Sequence, residues 1–387
     1  QGKYVFSQII SLISHTSFNS CVKRYKGHYK AKHFSCWNQF LCMAFGQLTH
    51  RESLSDTILC LSANSQKLYH IGIGNTIAKS TLSKANEKRN CKIYHDLAML
   101  LIKEAQQLYL NDSDLEVEIK NNVFAIDATT IDVCLSAFWW AKFRTTKGGI
   151  KVHTQLDLKT SIPEFVHITT ASVHEVNVMD LITYLPDSFY VIDRGYTDFQ
   201  RLYRIFQAHS FFIIRAKDNL RFNRISSAPV DKSNGILCDQ HIRLNNFYAA
   251  KDYPVQLRRI KFLDTENNRT LIFLTNNFDL KATQIAQLYK HRWKIELFFK
   301  WIKQHLKIKC FWGRTENAVK TQIWIAVSVY VLVPIAKKKF KLNHSLYEIL
   351  QVISVCIFDK TPVTQLFNNS IQQNFKELNY NQLNIFD

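Results

Sequence analysis

Glycine, proline and methionine are sparse in this chain, at 10, 6 and 3 of 387 residues. So few turn-formers and helix-breakers exclude a collagen-like, low-complexity or disordered chain, and 47% apolar with 13% aromatic residues supply a sizeable core. Nine cysteines are scattered and never form a C-x-x-C pair, which excludes a disulfide framework and a zinc ribbon and points to reduced thiols in a cytosol. No long unbroken apolar run is present either. The strongest, residues 323–336, is 14 long and contains Ser328 and Pro334, so it reads as a buried core helix and not as a membrane span. The short apolar stretch 4–13 lacks a basic flank and a small-residue cleavage site, so no secretory signal is expected, and an opening Gln1 in place of Met implies at least one preceding residue. Acid is scarce as well: 50 Lys and Arg face 31 Asp and Glu, for a net charge of +19. The first 51 residues carry seven basic side chains and no acidic one. A surface this basic calls for a polyanionic partner, nucleic acid first and an anionic membrane surface second.

The length suits two or three domains. Up to about Leu110 the apolar residues fall at helical spacing, as in Phe40, Leu41, Ala44 and Phe45, then Leu54, Ile58 and Leu61. This predicts an all-helical basic domain over residues 1–110. Within it Ser80 offers itself as the N-cap of a short helix flanked by Lys79 and bearing Lys84, with the residue chemistry of a DNA-recognition helix or of an ordinary solvated helix. From Asn121 the pattern turns to strands, at 123–131, 149–158 and 162–171, joined as an antiparallel meander. A helix at about 178–185, a buried strand at 189–193, a helix at about 199–208 and a strand at 211–215 follow. A polar segment 217–269, a strand 270–275 and one long helix from about 283 to 306 complete the region. The class is α/β, a mixed sheet flanked by helices over residues 120–310. A helical extension and tail fill 311–387, and the last twenty residues hold nine Asn or Gln, which predicts loose packing there.

Asp127 stands among apolar neighbours in Phe124-Ala125-Ile126-Asp127, where an unpaired carboxylate is costly. Asp193 ends an apolar strand, the position at which α/β sheets build their sites. Either alone also reads as a turn or capping aspartate. On the long helix, Tyr289, Arg292, Glu296 and Lys303 fall within an arc of roughly 60° at helical periodicity. Glu296 would complete a three-carboxylate oxygen cage for Mg²⁺ or Mn²⁺, with Arg292 and Lys303 beside it for phosphates. The same pattern also suits a salt-bridged amphipathic helix.

Tyr289-x2-Arg292-x3-Glu296-x6-Lys303 resembles the Y-R-E-K signature of DDE transposases of insertion sequence family four. The resemblance covers nearly the whole chain, with no departure in the spacing. It implies an RNase H-like core, with residues 217–269 as a β-rich insertion. Asp127, Asp193 and Glu296 would be the catalytic, metal-binding triad holding two Mg²⁺ or Mn²⁺ ions, and Tyr289, Arg292 and Lys303 would contact the transposon end. It further implies cut-and-paste transposition of double-stranded DNA at terminal inverted repeats, a hairpin intermediate, a homodimeric nucleoprotein complex and a place in the cytoplasm at the nucleoid, with no membrane. The alternatives are a non-catalytic DNA-binding descendant of a transposase and an RNase H-like nuclease. Secondary candidates are Lys151 and His153 on one strand face, His174 and Glu175, the aromatic group Phe138, Trp139 and Trp140, and the basic run Lys337, Lys338 and Lys339.

Overall fold

A computed structural model describes residues 2–29, 31, 33–265, 267–304 and 311–368. Leu306 and nearly all of the Asn- and Gln-rich tail lie outside the described residues. Among the described residues, those up to Leu108 and those from Thr321 on form one compact unit, and those from Tyr109 to Lys320 form another.

The first unit opens with helices α1 (Val5–Ile10), α2 (His15–Arg24), α3 (Cys36–Leu48), α4 (Leu54–Ala63), α5 (Ser65–Leu68), α6 (Lys79–Lys88) and α7 (Lys92–Leu108). Serine caps set three of the starts, because Ser14, Ser35 and Ser53 each accept a backbone N–H from three residues on. α3 is buried almost throughout, and Gln39 within it donates to Asn86 Oδ1 of α6 at 2.8 Å. That satisfied polar pair fixes how α6 lies on α3. α6 begins at Lys79 after Ala78, which has no side-chain cap bond, so Ser80 is not the N-cap. Burial of Leu82, Ala85 and Asn86 sets the rotation of the helix, and the Ala78 carbonyl accepts from Thr81 N–H at 3.0 Å, so tertiary packing outweighs the capping preference. Lys79 and Lys84 are exposed.

The second unit is built on one nine-stranded sheet in the order β3-β2-β1-β4-β5-β9-β8-β7-β6. β1 (Val123–Val133), β2 (Gly148–Asp157) and β3 (Pro163–Thr170) form the expected antiparallel meander. β4 (Phe189–Ile192) runs parallel to β1, and β5 (Phe211–Arg215) parallel to β4. Both are continuous apolar runs, as central strands covered on two faces require. The segment between β5 and β9 (Arg269–Thr275) holds β6 (Phe222–Ala228), β7 (Ile236–Leu244) and β8 (Leu257–Asp264), which extend the same sheet antiparallel. One face of the sheet packs Phe124, Ile126, Tyr190, Ile192, Phe212 and Ile214 against Leu202 and Ile205 of α8 (Phe199–Gln207) and against Tyr253, which follows α9 (Phe247–Asp252). In place of the helix expected near 178–185 stands a 3₁₀ helix, Glu175–Leu181. The predicted long helix is two helices, α10 (Ala282–Lys290) and α11 (Trp293–Gln304).

α12 (Glu316–Lys339), α13 (Leu346–Val355) and α14 (Val363–Asn368) follow. α12 is the expected core helix, longer than its apolar run. By length and composition it suits a bilayer, yet its most apolar stretch is 94% buried by protein. Val5 and Phe6 donate their backbone N–H groups to the Asp359 and Ile357 carbonyls, so α1 and the segment between α13 and α14 are stitched into one unit.

Candidate active site

Strand register brings the two aspartates together. β1 and β4 pair in parallel up to Ile126 with Ile192, so the next residue on each strand, Asp127 and Asp193, leaves the ladder at the same point on neighbours about 4.8 Å apart. Beyond it β1 continues paired only with β2. Asp127 Oδ1 accepts from Ala128 N–H at 2.8 Å, and Asp193 Oδ2 accepts from Gly195 N–H at 3.4 Å.

The third carboxylate arrives on α11, whose Ile295, Phe298, Phe299 and Ile302 are buried while Glu296 is partly open. Between α10 and α11 the backbone tightens: Arg292, Lys294 and Ile295 each donate to the carbonyl three residues back. The break coincides with the side chains that bond to the sheet region, Arg292 and Lys294. Arg292 Nη1 donates to Asp127 Oδ2 at 3.1 Å and Nη2 to Glu296 Oε1, while Lys294 Nζ donates to the Leu158 carbonyl at 2.9 Å. Tyr289 Oη donates to Asp193 Oδ1 at 3.4 Å, and its ring lies beneath the Arg292 guanidinium and 4.7 Å from Phe273. Lys303 Nζ donates to the Thr130 carbonyl on β1 at 2.9 Å. Asp127, Asp193, Glu296, Tyr289 and Arg292 thus form one cluster, with Lys303 tied to the same strand. Lys79 and Lys84 belong to the other unit.

Burial pushes the Asp127 carboxyl up from its ordinary 3.8 to about 6, and the neighbouring charges of Asp193 and Glu296 add to the rise, against the Ala128 N–H and Arg292. The folded chain therefore holds this proton more tightly than the unfolded one. Its stabilising contribution is complete below pH 3.8 and is lost as the pH climbs through about 6, where the ionised group disfavours folding by about 3 kcal/mol. Asp127→Asn should accordingly raise the Tm of the protein in EDTA at pH 7.5 by several degrees and flatten its change between pH 4 and 6.5. A thermal scan showing a lower Tm for the variant would contradict this account.

Among the described residues, no three carboxylate, imidazole or thiolate groups stand close enough to enclose an ion, because Arg292 lies between Asp127 and Glu296. The donor set nonetheless fits a hard divalent cation. It is all oxygen, and two of its members, Asp127 and Glu296, already share one cationic partner in Arg292.

The secondary candidates lie elsewhere. Asp127 pairs with Thr154 across the ladder, so Lys151 and His153, opposite Thr130 and Ala128, stand on the other face of the sheet and do not approach the site on the Asp127 face. Lys151 Nζ is 3.3 Å from Glu175 and bonds the Val173 carbonyl, and buried His153 shares a 2.9 Å hydrogen bond with Thr169. Trp139 is exposed, Trp140 donates to the Arg314 carbonyl, and Lys339 pairs with Glu104. No spacing singles out Tyr196, three residues past Asp193, whose buried hydroxyl has no hydrogen-bond partner among the described residues; that adjacency is its only signal.

A mixed sheet in this order, with a carboxylate on its central strand, a second at the tip of the parallel neighbour and a third on a helix packed against them, defines an RNase H-like enzyme of nucleic-acid processing. Residues 118–332, more than half the chain, match the family model described as "Transposase DDE domain". Residues 1–74 match one described as a domain of unknown function. The chain is 29% identical over 289 residues to "Putative transposase y4zB" of Sinorhizobium fredii, covering 74% of this chain and 79% of that protein. It is 29% identical over 259 residues to "Probable transposase for insertion sequence element IS5377" of Geobacillus stearothermophilus, 65% of this chain and 66% of that one. A third relative, "Putative transposase for insertion sequence element IS4SA" of Synechocystis, is 24% identical over 67% of this chain and 72% of its own length. The chain belongs to the DDE transposase family. It is an enzyme of DNA transposition, and with that membership comes a general dependence on divalent metal.

Proposed function

We propose that this transposase is of the family-four type, binds the terminal inverted repeats of an insertion sequence and moves the element by cut-and-paste. The observation that carries this reading is the convergence of Asp127, Asp193 and Glu296, from three separate elements, around Arg292 and Tyr289. In it the three carboxylates would hold two Mg²⁺ or Mn²⁺ ions. Ions so held would supply activation of a water or a DNA 3′-hydroxyl and stabilisation of the leaving oxygen. Asp127 and Asp193 orient the site from the rigid sheet. Arg292 exchanges its carboxylate partners for a phosphate near the scissile bond, and Tyr289 and Lys303 contact the same strand. The helical domain, residues 1–110, provides most of the duplex affinity through Lys79 and Lys84 on α6, and the 217–269 insertion extends the catalytic domain 120–310, followed by the helical extension and tail 311–387. The active form is a homodimer on paired ends, acting in the cytoplasm at the nucleoid on transposon ends and target DNA.

The test is incubation of the full chain with DNA carrying the ends of its own element. In Mg²⁺ or Mn²⁺ nicks should map to the element's termini, while Ca²⁺ should permit binding without cleavage. Bound ends that stay intact in every divalent ion would overturn the reading, and robust cleavage in EDTA would remove the metal from it.

A further inference from the structure

We infer that Asp239 on β7 and Arg258 on β8, in the strands inserted between β5 and β9, position the helix bearing Tyr289 and the Arg292 turn after it, and thereby act on cleavage without touching DNA. This rests on the roles proposed above for Tyr289, Arg292 and Glu296.

Both side chains are buried, 9% and 7% exposed, and face each other as a fork on a fork: Arg258 Nε donates to Asp239 Oδ1 at 2.9 Å and Nη2 to Oδ2 at 2.7 Å. The remaining nitrogen of the guanidinium points away from the pair. Nη1 donates to the Leu280 carbonyl at 2.6 Å and the Asn277 carbonyl at 3.4 Å. Those carbonyls belong to the turn that leads from β9 into α10. Asn277 Oδ1 closes the turn by accepting from Leu280 N–H at 2.9 Å, and Asn277 N–H donates to Thr275 Oγ1 at 3.1 Å. α10 starts two residues after Leu280 and delivers Tyr289 to Asp193 and Phe273 near its far end. A small rotation of that turn would be carried along the rigid helix to the side chains that meet the carboxylates.

Stability and position can be separated here. A buried ion pair replaced by well-packed apolar side chains is often neutral for folding, but no apolar side chain can hold two carbonyls. Asp239→Leu with Arg258→Met should therefore keep the fold and release the turn. Arg258→Lys keeps the charge but offers one nitrogen in place of three, and serves if the double variant does not fold.

The experiment compares the full-length protein with both variants by thermal unfolding, end-DNA affinity, cleavage rate at saturating ends, and hydrogen–deuterium exchange. For the double variant, peptides covering residues 276–292 should exchange faster while those of β1 do not change. Affinity should stay within a few-fold and the cleavage rate should fall by about tenfold or more, since sub-ångström misplacement of reacting groups is costly; Arg258→Lys should fall between. Unchanged exchange in 276–292, or faster exchange spread evenly over the unit, would overturn the inference. Local loosening of 276–292 in a protein whose unsubstituted form cleaves no ends would instead sustain the positioning role and defeat the proposed reaction.

Discussion

Asp127→Asn, Asp193→Asn and Glu296→Gln should each lower the rate of strand cleavage at transposon ends by on the order of a thousandfold, about 4 kcal/mol of barrier, while end binding stays within a few-fold. Each substitution is nearly isosteric and replaces a charged oxygen ligand by a neutral amide. Asp127 and Asp193 leave adjacent parallel strands at the same point of the ladder, so neither can be replaced by a shift of the other. Glu296 differs in kind, because it sits on α11 and shares Arg292 with Asp127. Its loss also frees the guanidinium, so Glu296→Gln should bind ends at least as tightly as the unsubstituted protein. Single-turnover cleavage and gel-shift affinity on the same DNA measure both quantities. A variant that cleaved at the full rate in Mg²⁺ would remove its residue from the set.

The second large effect concerns affinity. Replacing Lys79 and Lys84 together by Ala should weaken end binding by about tenfold near 0.1 M salt and reduce the slope of log affinity against log salt by about 2, as two phosphate contacts disappear. Both side chains are exposed on α6, and the buried contacts of the helix are made by Leu82, Ala85 and Asn86, so the fold should not respond. Cleavage of ends already bound should be nearly unaffected, since neither residue is in the carboxylate cluster. Removing residues 1–110 outright is a poorer test. It would take away the partners of α13 and of the segment around Ile357 and Asp359, exposing apolar surface that has nothing to do with DNA. Unchanged affinity and salt slope in the double variant would move end recognition away from α6.

Much of this protein can be read from its residues alone. β4 and β5 are legible because central strands are covered on both faces and so appear as short unbroken apolar runs, and α3 and α12 because buried helices carry apolar residues all round. The excess of positive charge and the Tyr289, Arg292, Glu296 and Lys303 spacing are likewise properties of the linear chain. Local preference was misleading where packing competes with it. Ser80 is a better cap than Ala78, yet burial of Leu82 and Asn86 starts α6 earlier, and a helical period that runs unbroken from 283 on is interrupted at His291 and Arg292, where the Arg292 side chain bonds Asp127 on β1. Only the tertiary structure decided that Ile126 registers with Ile192, which turns two separate aspartates into neighbours, and that Lys151 and His153 face away from them. It alone joined Asp239 to Arg258 and both to the turn before α10. The periodicity of a sequence records which side chains avoid water, and that is a local property. Which distant side chains meet depends on strand register and on the path of the chain between them, and no spacing along the sequence carries that information.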